Sequence, residues 1–232
     1  MVKKFIEKLY LHIKKIPLSI DKVLKDSDLI RIIINQLIGR IRGLLISSFR
    51  YARKFPFVGS GVKIHYPRKV FLGKNVTLSD GVYIDGFGHE GIFIGDNSSI
   101  GALSRLIVGR NYRELGIGIK ISESVGIGEF AYIGGAGRVS IGKGCIIGQY
   151  FSIHPENHNF KDQDLEIRFQ GTTRRGVVIK ENCWIGSKVT ILDGARIGSG
   201  CVIAAGAVVN GSFGNNEVIG GVPAKRLKFT YD

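Results

Sequence analysis

Two of the five histidines in this 232-residue chain, His154 and His158, open a polar stretch that runs to Gly176, HPENHNFKDQDLEIRFQGTTRRG. Imidazole titrates nearest neutrality of all side chains. Either residue is therefore suited to take a proton from a weak nucleophile as it attacks, a contribution of roughly 10²–10⁴-fold in rate. A solvated surface histidine is the commoner outcome in a polar loop, and residue type alone leaves both readings open. Cys145, Cys183 and Cys201 are the other reactive side chains. Their number is odd and their spacing is no disulfide framework, which suits a reducing compartment.

The surroundings of these residues are a repeat. A large aliphatic recurs every six residues at Ile179, Ile185, Ile191, Ile197, Ile203 and Val209, and two positions before each stands Val177, Cys183, Val189, Ala195, Cys201 or Ala207. The unit recurs upstream at Leu72, Leu78 and Ile84, at Ile94 and Ile100, at Ile121, Ile127 and Ile133, and at Ile141, Ile147 and Ile153. A six-residue period makes no single apolar face on a helix, whereas apolar residues two apart are the alternation of a strand. Three short strands, each followed by a turn, close a triangular coil whose aliphatics stack inside, an all-β solenoid. Gly, at 33 residues against 5 Pro, fits a chain of many tight turns. All three cysteines fall at the small position of the unit, where they read as core fillers of a tapered interior, a catalytic thiol being the alternative. The phase breaks near Asp85–Gly91, near Asn111–Leu115 and, most widely, over 154–176, which predicts a protruding loop there.

From about residue 60 to 223 this pattern resembles the bacterial hexapeptide transferase repeat, [LIV]-G-x-x-x-x. The resemblance implies a left-handed parallel β-helix of hexapeptide repeats, assembled as a homotrimer whose chains share their cofactor sites. The segment NHNF, followed by Arg168-Phe169-Gln170-Gly171 and by Cys183-Trp184-Ile185-Gly186, is similar to sugar O-acetyltransferases of surface-polysaccharide synthesis. That likeness implies an acetyl-CoA donor, a saccharide acceptor and no metal. The stretch Ile141–His158 lays on the family pattern without a gap and registers the general base on His158. His154 is the second choice, shaping the loop or touching the acceptor. The Ser187 amide is implied as the oxyanion donor on the adjacent coil. Trp184, Ser187 and Ala205 fall at pantetheine-contacting positions. Lys225 and Lys228, in the tail Gly221-Val222-Pro223-Ala224-Lys225-Arg226-Leu227-Lys228, fall near the phosphates. One departure matters: where the small-sugar acetyltransferases carry an acceptor-binding Asn, this chain has Gly134, so acceptor identity does not carry over.

Residues 1–57 are set apart from the solenoid of 58–232 and its C-terminal cap. They hold 13 Lys and Arg against four acidic residues, +9 of the chain's total of +14. Val2, Phe5, Ile6, Leu9, Ile13 and Ile16 follow helical spacing up to Pro17. A second helical pattern starts after Ser27 or Asp28, carries Ile30, Ile33, Ile34, Leu37, Ile41, Leu44 and Leu45, and stops at Pro56. These basic amphipathic helices either pack on the trimer or lay their apolar stripe in a membrane interface with Lys and Arg at the headgroups. No secretory signal and no span of ~20 apolar residues is visible, so the expected location is cytoplasmic, or peripheral on the inner face of the membrane. Nucleic acid is not an expected partner, because no recognition motif is present.

Other classes remain on the same scaffold. The acceptor could be a nucleotide-sugar amine, a serine or an antibiotic, or the β-helix could be a non-catalytic scaffold. A zinc enzyme of the gamma carbonic anhydrase type needs three converging histidines, and His65 and His89 lie too far along the solenoid to join His154 and His158.

Overall fold

The computed structural model describes residues 3, 4, 6–8, 19–46, 54–109 and 112–232. From Phe57 onward the chain winds as a left-handed parallel β-helix of triangular section, its strands two to four residues long over most of its length. A first face stacks Phe57–Val58, Thr77–Leu78, Ser99–Ile100, Gly126–Ile127, Ile146–Ile147, Trp184–Ile185, Val202–Ile203 and Glu217–Gly221. A second runs from Lys63–His65 through Arg105–Ile107, Tyr132–Gly134 and Ser152–His154 to Val208–Val209. A third runs from Val70–Leu72 through Val139–Ile141 and Val177–Ile179 to Ser212–Phe213. The last strand, Ala224–Phe229, turns back antiparallel on Glu217–Gly221 and caps the first face.

Every aliphatic of the repeat points inward. Ile84, Leu106, Ile133, Ile153, Ile191 and Val209 form one column inside the second face, each buried and in parallel register with the next. Truncating one such residue to Ala would cost about 2–5 kcal/mol, because neighbouring coils cannot collapse into the space. Cys145, Cys183 and Cys201 form an inner column of the first face, all buried and free.

The corners decide where side chains project. Where the third face turns into the first, the left-handed residue is Asn75, Asn97, Ser124, Gly144, Asn182, Gly200 or Asn216. Small polar residues and glycine reach that conformation at least cost. Where the first face turns into the second, three middle coils instead hold Leu103, Phe130 and Tyr150 at φ of 58°, 56° and 57°. For such bulky residues the left-handed region costs roughly 1–2 kcal/mol each.

Register spacing locates the interruptions. Neighbouring strands of the first face are 20 residues apart from Gly126 to Ile146 and 18 from Trp184 to Val202, but 38 from Ile146 to Trp184. The excess is the loop between Ser152–His154 and Val177–Ile179, at the corner between the second and third faces, as the phase break predicts.

At the N-terminal end the helix Asp26–Ile46 rests on the first coil. It starts two or three residues before the sequence pattern does, with Asp26 and Asp28 in its first turn, where acidic side chains suit the helix dipole. Its contact is made by glycine: a Cβ on Gly39 would stand 2.2 Å from Phe57, and one on Gly43 would stand 2.1 Å from the Pro56 carbonyl. Leu29 is buried, whereas Ile30, Ile33, Ile34, Leu37, Ile41, Leu44 and Leu45 all remain exposed. The apolar stripe therefore does not pack on its own solenoid. The approach to Pro56 through residues 47–53 lies outside the described residues. Of the first helical pattern, residues 3, 4 and 6–8 are helical, and Val2, Phe5, Leu9, Ile13, Ile16 and Pro17 lie outside the described residues.

Candidate active site

His154 ends the strand Ser152–His154, and its ring stacks on Tyr132 of the preceding coil at 5.5 Å between centroids. Four residues on, His158 lies in the short strand Asn157–His158, which pairs antiparallel with Thr172–Thr173 and so forms the base of the protruding loop. Both imidazoles are exposed. They share one open cleft of about 470 Å³, with Arg105, Tyr132 and Glu156 on its walls and Gly134 and Gly135 on its floor. The floor is glycine for a reason of space. A Cβ on Gly134 would come within 3.1 Å of Pro155, and one on Gly135 within 2.8 Å of Ile119. The position that departs from the family pattern is thus part of the cleft, and its bare backbone keeps it open.

The loop that carries His158 is anchored at both ends by residues the sequence reading passed over. Asp193, buried on the next coil, accepts hydrogen bonds from the Arg175 and Gly176 amides, each at 2.8 Å, while its other oxygen lies 3.5 Å from Asn157 Nδ2. Arg174, largely buried, donates to Glu156 at 3.1 Å and to the Leu115 carbonyl at 3.2 Å, and pairs with Glu114 at 3.5 Å. These bonds fix the loop against two different coils. A tract without periodicity gives no sign of such partners; the Asp193-Gly194 pair, a turn-forming dipeptide, is the sequence feature that could have pointed to one of them.

The five residues matched to cofactor positions gather on another part of the prism. Trp184, exposed on the first face, stands in register with Val202, Val218 and then Lys228. Three strand spacings put Trp184 and Lys228 about 14 Å apart on that face. Lys225 pairs with Gly220 on the same capping strand. Ser187 and Ala205 occupy equivalent places on successive coils at the corner between the first and second faces, joined by the Gly206 amide donating to the Ser187 carbonyl at 2.9 Å. Among the described residues neither the Ser187 nor the Ala205 N–H has an acceptor within the chain, so two equivalent donors stand one coil apart. That row fits a ligand that carries successive amide carbonyls.

The fold adds a distance to the expected pairing of Ser187 with His158. Ser187 is indeed one coil beyond His158, yet it lies at the first–second corner while His158 lies at the second–third. Within one chain the Ser187 amide and the His158 imidazole sit at opposite ends of the second face and do not meet.

The thiols are buried inside the coil. Each Sγ lies near a backbone carbonyl, Cys145 3.2 Å from Lys180 and Cys183 3.1 Å from Gly198, inside the coil. The hydrogen bond with Cys145, with burial adding to it, pushes the Cys183 thiol up to about 11. Among the described residues no group of three or more His, Cys, Asp or Glu is placed to share a metal ion, and no helix is long and apolar enough to cross a membrane.

Residues 176–211 match the bacterial transferase hexapeptide model of six repeats. The chain is 31% identical over 164 residues to WbbJ of Escherichia coli K12, a protein named as a lipopolysaccharide biosynthesis O-acetyl transferase, covering 68% of this chain and 70% of that one. It is 30% identical over 181 residues to Rv3034c of Mycobacterium tuberculosis, named as an acetyltransferase, covering 76% of this chain but only 50% of that relative. The fold is shared with the polySia-specific acetyltransferase NeuO, at a TM-score of 0.51 and 21% identity over 75% of this chain and 74% of that one. It is also shared with a variant of the N-acyltransferase AntD from Bacillus cereus, in complex with dTDP and coenzyme A. There the TM-score is 0.50 and identity 20%, over 76% of this chain and 82% of that one.

Proposed function

The chain belongs to the bacterial hexapeptide-repeat acyltransferases, and from that premise we propose that it moves an acetyl group from acetyl-CoA to a hydroxyl of a saccharide in surface-polysaccharide synthesis. The observation that carries this reading is the placement of His158. It sits where the solenoid is interrupted, on a loop tied down by Asp193 and Arg174, beside an open cleft sized for a sugar ring. The relatives' names supply the class of acceptor, and the O-acetyl transferase WbbJ favours a hydroxyl over an amine.

In this mechanism pantetheine lies along the amides of Ser187 and Ala205, with Trp184 against its arm and Lys225 and Lys228 near the diphosphate. His158 Nε2 or Nδ1 takes the hydroxyl proton as the oxygen attacks the thioester carbonyl. The Ser187 N–H donates to the oxygen that becomes negative, and coenzyme A leaves as the thiol after recovering the proton from the imidazolium. Because Ser187 and His158 lie at different corners of one prism, the donor half-site of one chain must meet the base of another. A homotrimer, in which each of three chains gives both halves, satisfies that need with closed symmetry.

The basic N-terminal region we place against an anionic lipid surface. The helix Asp26–Ile46 leaves its aliphatic stripe exposed, and after Asp28 its charges are all basic, Arg31, Arg40 and Arg42. Contact with lipid would bring the enzyme to a lipid-linked saccharide.

Thiol release from acetyl-CoA, followed across a panel of saccharides, amino sugars, serine and aminoglycosides, tests the acceptor class. Release stimulated by a saccharide hydroxyl and abolished in His158→Ala is the expected result. Stimulation by an amine alone would overturn the hydroxyl assignment, and no stimulation by any acceptor would return the chain to a scaffold.

A further inference from the structure

All variation in coil length falls on one corner. From the first face to the second each coil takes six residues, as from Thr77 to Tyr83, Ser99 to Arg105 and Ile146 to Ser152. The crossing from third to first is equally constant, six residues from Phe71 to Thr77, Lys120 to Gly126 and Val178 to Trp184. From the second face to the third the chain takes six residues from Thr190 to Arg196, yet ten from Tyr83 to Phe93, fifteen from Arg105 to Lys120 and twenty-six from Ser152 to Val178. The widest excursion carries His158. The two narrower ones, at the phase breaks near residues 85–91 and 111–115, have no part in the mechanism above.

What the narrower excursions hold is a ledge of rings. Phe87 stands 4.7 Å from Tyr66 of the preceding coil and 5.6 Å from Tyr112 of the next, between centroids. Phe87 is set by the glycines on either side of it. A Cβ on Gly86 would stand 3.0 Å from Val70, and one on Gly88 would stand 2.3 Å from Val108. Both glycines are buried and the Phe87 amide donates to buried Asp85 at 3.1 Å, while the ring between them stays half-buried at the surface. Tyr66 holds φ at 53°, where a bulky side chain costs roughly 1–2 kcal/mol, and it is 48% exposed. Tyr112 is 80% exposed. Rings held in this way and turned to water gain little from their own chain. They point to a role outside the fold's own stability.

The ledge runs into the cleft. Val108 and Gly109, which line the cleft, begin the same excursion that carries Tyr112. Glu114 and the Leu115 carbonyl of that excursion hold Arg174 of the His158 loop. Ledge and cleft thus follow one corner, with the coils of Phe87 and His154 three strand spacings, or about 14 Å, apart along the solenoid. That span exceeds one sugar ring and suits a chain of a few. The chemistry suits sugar as well. A pyranose presents C–H bonds on its flat faces, which lie well on the electron-rich face of an aromatic ring, and its edge hydroxyls can meet the phenol groups of Tyr66 and Tyr112. We propose that Tyr66, Phe87 and Tyr112 form a second saccharide subsite, which holds the further rings of the acceptor while one ring sits beside His158. The proposal rests on the saccharide reading above and deepens it: the acceptor is an oligosaccharide or polymer rather than a free monosaccharide.

The test uses the surface polysaccharide of the organism that makes this chain, stripped of esters by mild base and cut into fragments of increasing length from one ring upward. Acyl transfer from acetyl-CoA is measured for each length. For the wild type KM should fall at least about fivefold from the shortest fragment to the longest, and Tyr66→Asn/Tyr112→Ser should erase that gain. Asparagine suits the left-handed turn at position 66, and position 112 is exposed, so the coil should fold. The loss should fall on KM rather than kcat, since the ledge lies away from the reacting hydroxyl. A wild type whose KM ignores fragment length, or a double variant that keeps the gain, overturns the ledge and leaves the acetyl-transfer reading standing. No transfer to any fragment overturns the saccharide reading and the ledge with it. Should the double variant not fold, p-benzoylphenylalanine at position 112 of the otherwise native chain decides. Irradiation with the longest fragment should give a saccharide adduct, whereas chain-to-chain adducts alone, or none, refute the subsite.

Discussion

Ser187 donates its hydroxyl to Gln149 Oε1 across 2.6 Å, tying equivalent corners of successive coils, and among the described residues its amide has no acceptor within the chain. The fit is close, because a Cβ on Gly148 would stand 2.7 Å from the Ser187 nitrogen and 2.8 Å from its hydroxyl. Gly148→Ala must therefore displace the proposed oxyanion donor. The expected result is a loss of about 1–3 kcal/mol in stability by thermal unfolding. Acyl transfer should fall by at least about tenfold, since removing one such donor outright costs ~10²–10³. Unchanged turnover in a destabilised variant would remove Ser187 from the mechanism.

The two histidines separate by experiment. His158→Ala should keep coenzyme A affinity, measured by calorimetry, and lose at least about two orders of magnitude in turnover. His154→Ala should lose less, because its ring stacks on Tyr132 and shapes the wall of the cleft. A reversal of the two effects would move the base four residues upstream and leave the reaction class intact.

The buried thiols should be silent. With Cys183 pushed up to about 11 by its hydrogen bond to Cys145 and by burial, its thiolate is scarce at pH 7.5. A chromogenic disulfide reagent should count no thiol in the native protein and three after unfolding, with full activity retained beforehand. The pH dependence has a definite sign. Cys183 and Cys201 hold their protons more tightly folded than unfolded, through the hydrogen bonds linking the column and through burial. The stability this contributes is present below the ordinary thiol range and is lost as pH climbs toward about 11, Cys145 opposing part of it because its hydrogen bond to Cys183 shifts it downward. Thermal midpoints measured from pH 8 to 11 should decline, and Cys183→Ala should flatten the decline.

Full-length protein should sediment with vesicles containing anionic phospholipid at low salt, and release as salt screens the attraction over a Debye length of ~10 Å at 0.1 M. Removing residues 1–57 should abolish binding. The β-helix should still fold, because each coil is supported by its neighbours. Aggregation of the shortened chain, with no vesicle binding by the full-length one, would assign the helix to the trimer.

The fold was legible in the sequence because a hexapeptide solenoid writes its geometry into a period. An inward aliphatic every six residues fixes which side chains stack, and Ile84 through Val209 follow that rule coil after coil. The loop over 154–176 was legible for the same reason, as a loss of phase, and the three cysteines followed from their place in the unit. What no period contains is the relation between corners. Asp193 and Arg174 bind the loop across coils, through contacts set by how far each excursion shifts the register. Gly39 and Gly43 decide that the N-terminal helix rests on its bare face and leaves its aliphatic stripe outward. The separation of Ser187 from His158 is likewise a property of the triangular section. Their 29-residue spacing says nothing of it until the insertion, by stretching one coil to 38 residues, sets the two at opposite ends of a face.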